Sequence, residues 1–146
     1  MRPARLVVDT NVLVSAMLWR GVPGQLLALA DEHGIRLYTS RVLLDELHDV
    51  LHRPRLAKPV AATGHSADQM VAHYRRIATL VNAHRLAAPV SRDTDDDAVL
   101  ACAVAAQADL VVTGDDDLLV LRRYADIEII TAAAAIARIR NARQSA

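Results

Sequence analysis

Residues 5–18 read RLVVDTNVLVSAML. Leu6, Val7 and Val8 are apolar at successive positions, the pattern of a strand buried on both faces, and Asp9 ends the run. VLVSAML then continues as helix, so the stretch opens a strand-to-helix unit with an acid at the junction. The chain repeats that alternation. GVPGQLLALADEHG (21–34) is helical, IRLYTS (35–40) is a strand, and Ser40 caps the helix RVLLDELHDVLHR (41–53). RPRLAKPVAATGHS (53–66) is loop or broken helix. Ser66 and Gln69 make a capping box for a helix whose Met70, Tyr74, Ile77 and Val81 recur at helical spacing. A weak strand is expected near 82–86, a helix after Asp97, and a strand in ADLVVTG (108–114). A short helix at 115–120, a strand IEII (127–130) and a closing helix TAAAAIARIRNAR (131–143) complete the pattern. Strands alternating with helices call for a parallel sheet covered on both faces, so the expected fold is α/β, a three-layer sandwich in one domain over 1–146.

Composition agrees with a single core. A chain of 146 residues buries roughly two-thirds of its unfolded surface without a disulfide or metal staple. Phe is absent and Trp19 is the one tryptophan, so the core must be built from Leu, Val, Ile and Ala. Cys102, the single cysteine, lies in an apolar run, reads as buried filler and fits a reducing compartment. The short apolar run before Asp9 is neither a signal segment nor a membrane span, and a cytoplasmic location is expected. Formal net charge is zero. That argues against whole-molecule attraction to nucleic acid, yet permits an acidic pocket beside basic patches.

The acids are unevenly placed. DTDDDAVLACA (93–103) and TGDDDLL (113–119) crowd carboxylates in front of apolar residues, where they repel one another unless something offsets the charge. Ligands of an open parallel sheet sit beyond the carboxyl ends of its strands, and Asp9 and Asp115 occupy such ends; each also reads as a plain helix cap. In the helix 41–53, Leu43, Leu44, Leu47, Val50 and Leu51 define a buried stripe, with Glu46 at its edge. Asp45, Asp49, His48 and His52 project from the far side. The two histidines have the i, i+4 spacing of a zinc site, but no third ligand shares their face, and they read as surface residues. Thr94 is the expected cap of the next helix, with Asp95, Asp96 and Asp97 in its first turn, where the macrodipole favours acids. Projection aligns Asp97 with Leu100, Ala101 and Val104 and puts Asp96 to the side. Asp9, Glu46, Asp97 and Asp115 together make a hard oxygen site suited to Mg²⁺ or Mn²⁺, and such cages act mainly on phosphates.

Asp9-Thr10-Asn11 after the first strand, Glu46, DTDDDAVLACA and VVTGDDDLL, in this order and spacing over about residues 5–130, resemble the PIN-domain ribonucleases. The likeness is strongest to the VapC-like toxins of bacterial toxin-antitoxin modules. It implies an α/β/α sandwich with a central parallel sheet of about five strands in the order 3-2-1-4-5. It further implies Mg²⁺- or Mn²⁺-dependent hydrolysis of RNA, frequent homodimers and neutralisation by an antitoxin. Carried over, Asp9, Glu46, Asp97 and Asp115 fall on the family's acidic quartet, with Asp117 an outer metal contributor. Asn11 and Thr113 match orienting polar positions, and Asp96 competes with Asp97. A housekeeping RNA-processing nuclease and a non-catalytic RNA- or protein-binding domain are the alternatives. A haloacid-dehalogenase-type phosphatase lacks its D-x-D here, and a receiver domain lacks its late Lys, because none follows Lys58.

Overall fold

A computed structural model of the chain describes residues 3–32, 34–86, 89–90 and 94–145. Strand β1 (Ala4–Val8) leads into α1 (Thr10–Leu18) and α2 (Gly21–Asp31), then β2 (Ile35–Thr39) into α3 (Arg41–Leu51). A 3-10 turn (Pro54–Leu56), α4 (Ala57–Ala62) and α5 (Ala67–Ile77) follow, and β3 is only Thr79–Leu80. Next come α6 (Thr94–Ala106), β4 (Leu110–Val112), α7 (Asp116–Leu119), β5 (Arg123–Tyr124), β6 (Ile127–Ile130) and α8 (Ala132–Ser145). Local signals set several of these boundaries. The Ser40 hydroxyl accepts from the Leu43 amide at 3.3 Å, and Ser66 and Gln69 exchange both bonds of a capping box at 3.1 and 2.8 Å.

The strands form one sheet in the order β3-β2-β1-β4-β6-β5. Every neighbouring pair is parallel except β5 with β6. The expected order 3-2-1-4-5 holds if IEII is counted fifth; the sixth strand is the two-residue β5, which folds back antiparallel on IEII. The third strand lies earlier than expected. Thr79 and Leu80 pair with Tyr38 and Thr39, and the Val81 amide closes the ladder on the Thr39 carbonyl at 2.8 Å. Residues 82–86 have no regular structure, because β2 ends at Thr39 and offers them nothing to pair with.

Alternation along the strands divides the core between the two faces of the sheet. Leu6, Val8, Leu37, Leu110 and Val112 join one apolar cluster with residues of α1, α2, α3, α5 and α8. Val7, Tyr38, Val111, Ile127 and Ile129 join the other, mainly with α6. The core is largely aliphatic, with Leu26, Leu47, Leu100 and Leu118 fully enclosed, but Tyr74 and Tyr38 are buried in it too, beyond the Leu, Val, Ile and Ala expected. Among the described residues no single helix is long and apolar enough to cross a membrane.

Cys102 is fully buried in α6, and that burial pushes its thiol up to about 12, against a smaller opposing effect of a hydrogen bond with Ser40. Thiol reagents attack the thiolate. Ellman's reagent at about pH 8 should therefore leave Cys102 untouched in the folded protein and label it fully in denaturant; labelling of the native chain at the rate of a free thiol would contradict this packing.

Candidate active site

Parallel register builds the centre of the site. Val8 lies opposite Val112, so the next residues, Asp9 and Thr113, stand side by side where β1 and β4 end. This is also where strand order reverses, the chain having gone from β1 to β2 on one side and later to β4 on the other. Asp9 is 6% exposed and holds the cap position of α1, yet its side chain makes no capping bond. Its backbone carbonyl receives the helix amides of Val12 and Leu13 instead. The carboxylate takes the Thr113 hydroxyl, which donates to Asp9 Oδ2 at 2.7 Å. Thr113, fully buried, also accepts the Asp115 amide at 3.0 Å, so one hydroxyl fixes both strand-end acids.

Asp115 does cap its helix: Oδ1 accepts from the Asp117 amide at 2.9 Å. The capping and ligand readings of this residue are therefore compatible, since a carboxylate has about four lone-pair sites. One carboxylate oxygen from each of Asp96, Asp115 and Asp117 lies within 4.8 Å of the other two. Asp96 reaches this group because α6 leads into β4, hence runs against it and starts at the carboxyl edge of the sheet. Its place in the first turn of α6 adds a favourable helix dipole.

The two adjacent acids of α6 exchange the places expected of them. Asp96 is 4% exposed, whereas Asp97 is half-buried and both of its oxygens accept the Val90 amide at 3.2 Å. The buried stripe runs through Asp96, Val99, Leu100 and Ala103, and Val104, assigned to that stripe from the sequence, is 47% exposed. The helix is apolar all round, and Ala, Val and Cys on every side leave projection no polar face to orient by. The structure also begins α6 at Thr94 itself; the Thr94 side chain and Asp93 lie outside the described residues.

Glu46 is half-buried on α3, which starts at the carboxyl edge next to β2 and packs against α6. Asp117 and Asn11 are exposed, as are Asp95 and Asp116. Glu46 and Asp9 are not in the tight group of three carboxylates. Thr10 was not singled out from the sequence. It is 1% exposed beside Asp9, and its hydroxyl has no hydrogen-bond partner among the described residues. A buried orphan hydroxyl is uncommon, and its place right after the strand-ending acid is the signal that could have flagged it. The donor set of Asp96, Asp115 and Asp117 is all carboxylate oxygen, which fits a hard divalent cation such as Mg²⁺ or Mn²⁺.

The chain belongs to the PIN domain family, whose model matches residues 5–117. Members of this family are generally nucleases and typically use divalent metals. Solved structures share the fold. The VapBC2 complex of Rickettsia felis, bound to a DNA fragment from its promoter, has a chain 13% identical, with a TM-score of 0.56 over 86% of this chain and 96% of that one. VapBC-5 of Mycobacterium tuberculosis, of the VapBC family of toxin-antitoxin systems, is 22% identical, with a TM-score of 0.55 over 88% and 99%. The PIN domain of T. brucei RRP44 is 14% identical, with a TM-score of 0.50 over 98% and 84%. No curated protein matches in sequence.

Thr113→Val removes a donor from the buried Asp9 carboxylate and an acceptor from the Asp115 amide while keeping side-chain volume. Loss of about 1–3 kcal/mol is expected, with Thr113→Ser much closer to the parent. Urea denaturation of the two variants checks this; a valine variant as stable as the serine variant would remove the hydroxyl from its bridging role.

Proposed function

We propose that the chain is a metal-dependent endoribonuclease and the toxin of a toxin-antitoxin module. The observation that carries the reading is the convergence of Asp96, Asp115 and Asp117 at the carboxyl edge of the sheet, beside the buried Asp9, in a PIN domain. Asp9, Asp96 and Asp115, with Glu46 and Asp117 contributing, would hold Mg²⁺ or Mn²⁺. The bound ion supplies positive charge that polarises the scissile phosphate and favours ionisation of the attacking water. Thr113 keeps Asp9 and Asp115 in fixed relative orientation, and the Asp117 amide fixes one oxygen of Asp115. Asn11, exposed on the first turn of α1, would orient the water or the RNA. Asp97 is here a bracing residue that holds the Val90 amide, not the ligand that the sequence favours over Asp96.

RNA is the substrate, cut to 5′-phosphate and 3′-hydroxyl ends. The exposed arginines Arg41, Arg53, Arg75 and Arg76 are the candidates to grip its backbone, because an acidic pocket alone repels a polyanion. An antitoxin partner is supported by the two VapBC neighbours, and a homodimer and a cytoplasmic location complete the reading. A housekeeping RNA-processing role predicts the same chemistry but no growth arrest on expression; arrest relieved by an adjacent antitoxin gene separates the two. A non-catalytic domain predicts no cleavage at all.

Purified protein should cleave RNA in Mg²⁺ or Mn²⁺ and stop in excess EDTA; cleavage that persists in the chelator rules out the metal mechanism. Asp96→Asn should lower the rate on the order of 100-fold or more, as expected of a ligand, whereas Asp95→Asn should change it less than about twofold. Asp97→Asn acts through the Val90 segment, so it should cost stability more than rate. A loss confined to Asp97→Asn, with Asp96→Asn active, would restore the order read from the sequence.

A further inference from the structure

We propose that His48, His52 and Asp68 form a second metal site, distinct from the acidic pocket, that takes a transition-metal ion of the zinc class. The sequence places the two histidines one turn apart on α3 without a third ligand; the fold supplies it. α5 packs against α3, and Asp68 in its first turn stands over the pair. One ligand atom from each residue lies within 4.8 Å of the other two. His48 Nε2 and His52 Nε2 are 3.4 and 3.2 Å from the same oxygen, Asp68 Oδ1. Bonds of about 2.0–2.2 Å at tetrahedral angles put neighbouring ligand atoms about 3.3–3.5 Å apart, so the two distances come within about 0.1 Å of a tetrahedral edge.

Proton placement points the same way. His52 Nδ1 is 2.7 Å from the His48 carbonyl oxygen, which can only accept, so Nδ1–H donates there. In a neutral ring Nε2 then turns a lone pair toward the Asp68 carboxylate, a repulsive contact unless a cation lies between. His48 faces carboxylates on both nitrogens, with Nδ1 3.5 Å from Asp49 Oδ1, and a neutral ring has one hydrogen for the two. Protonating His52 alone would satisfy Asp68 but still leave His48 one hydrogen for two carboxylates, and protonating both rings would stack two cations with centroids 4.1 Å apart. A single ion between the two Nε2 atoms and Asp68 answers all three. It leaves His52 Nδ1–H on a backbone carbonyl and His48 Nδ1–H facing Asp49, the outer partners that metal-bound histidines usually have. All three side chains are exposed, so an ion can enter and water can fill the fourth position. The mixed nitrogen and oxygen set selects against Mg²⁺, which the acidic pocket suits. An ion here would tie α5 to α3, the helix that carries Glu46.

The test is calorimetric titration of the full chain with Zn²⁺ in excess Mg²⁺. The parent and Asp96→Asn should each take up one equivalent, Asp68→Asn should bind at least tenfold more weakly, and His48→Gln/His52→Gln should lose the site. Equal binding by the parent and the double variant, or no parent binding in the micromolar range, would overturn the proposal. On the unaltered protein, ring resonances of His48 and His52 should move on Zn²⁺ addition while those of His65, His73 and His84 stay; the reverse pattern, or no movement, would also sink it. Survival of binding in Asp96→Asn keeps this result independent of the nuclease reading.

Discussion

One hydrogen bond at the carboxyl edge of the sheet, from the Thr113 hydroxyl to the Asp9 carboxylate, depends on the strands beneath it and ties together the two strand-end acids. It exists because β1 and β4 are parallel neighbours in a register that ends them together. A one-residue slip would turn Asp9 to the other face and leave a buried carboxylate without its hydroxyl donor. The register in turn is held by the alternation of Leu6 and Val8 toward one apolar cluster and Val7 toward the other. The packing of both faces thus determines the geometry of the charged edge, which is why a site of acids can rest on an apolar core.

The architecture was largely legible in the sequence because its signals are local. Short apolar runs ending on polar residues, Ser40 and the Ser66–Gln69 pair each act within a few positions of themselves, and the elements they announce are present. Strand β3 was displaced because its position is set by where β2 has backbone left to pair, a property of the partner strand. Strand β5 is two residues long and antiparallel, too brief to carry a periodicity. The places of Asp9 and Asp115 at the strand ends followed from topology. Those of Asp96 and Asp97 did not, since choosing between neighbours needs the helix rotation, and α6 has no polar face to reveal it. Asp68 was invisible beside His48 and His52 because the contact joins separate helices.

Asp96 and Asp97 show how little separates two uses of one residue type. About 100° of helix rotation turns one carboxylate toward Asp115 and Asp117 and the other toward the Val90 amide. Asp97 satisfies the Val90 backbone donor, a contact that favours the helix rotation at which Asp96 is buried. Crowding of acids in this stretch therefore combines two positions, one at the half-buried start of the helix and one on the buried edge that faces Asp115 and Asp117.

The short outer strands have a consequence for association. At one edge β3 offers two residues, and at the other the hairpin formed by β5 covers β6 with an equally brief strand. Neither margin presents a long row of unsatisfied amides and carbonyls, the template on which a foreign chain adds itself to a sheet. A partner protein is therefore better received on a surface read through side-chain shape and charge than on a strand edge. Its specificity can then change by single surface substitutions without disturbing the backbone ladder that aligns Asp9 with Thr113.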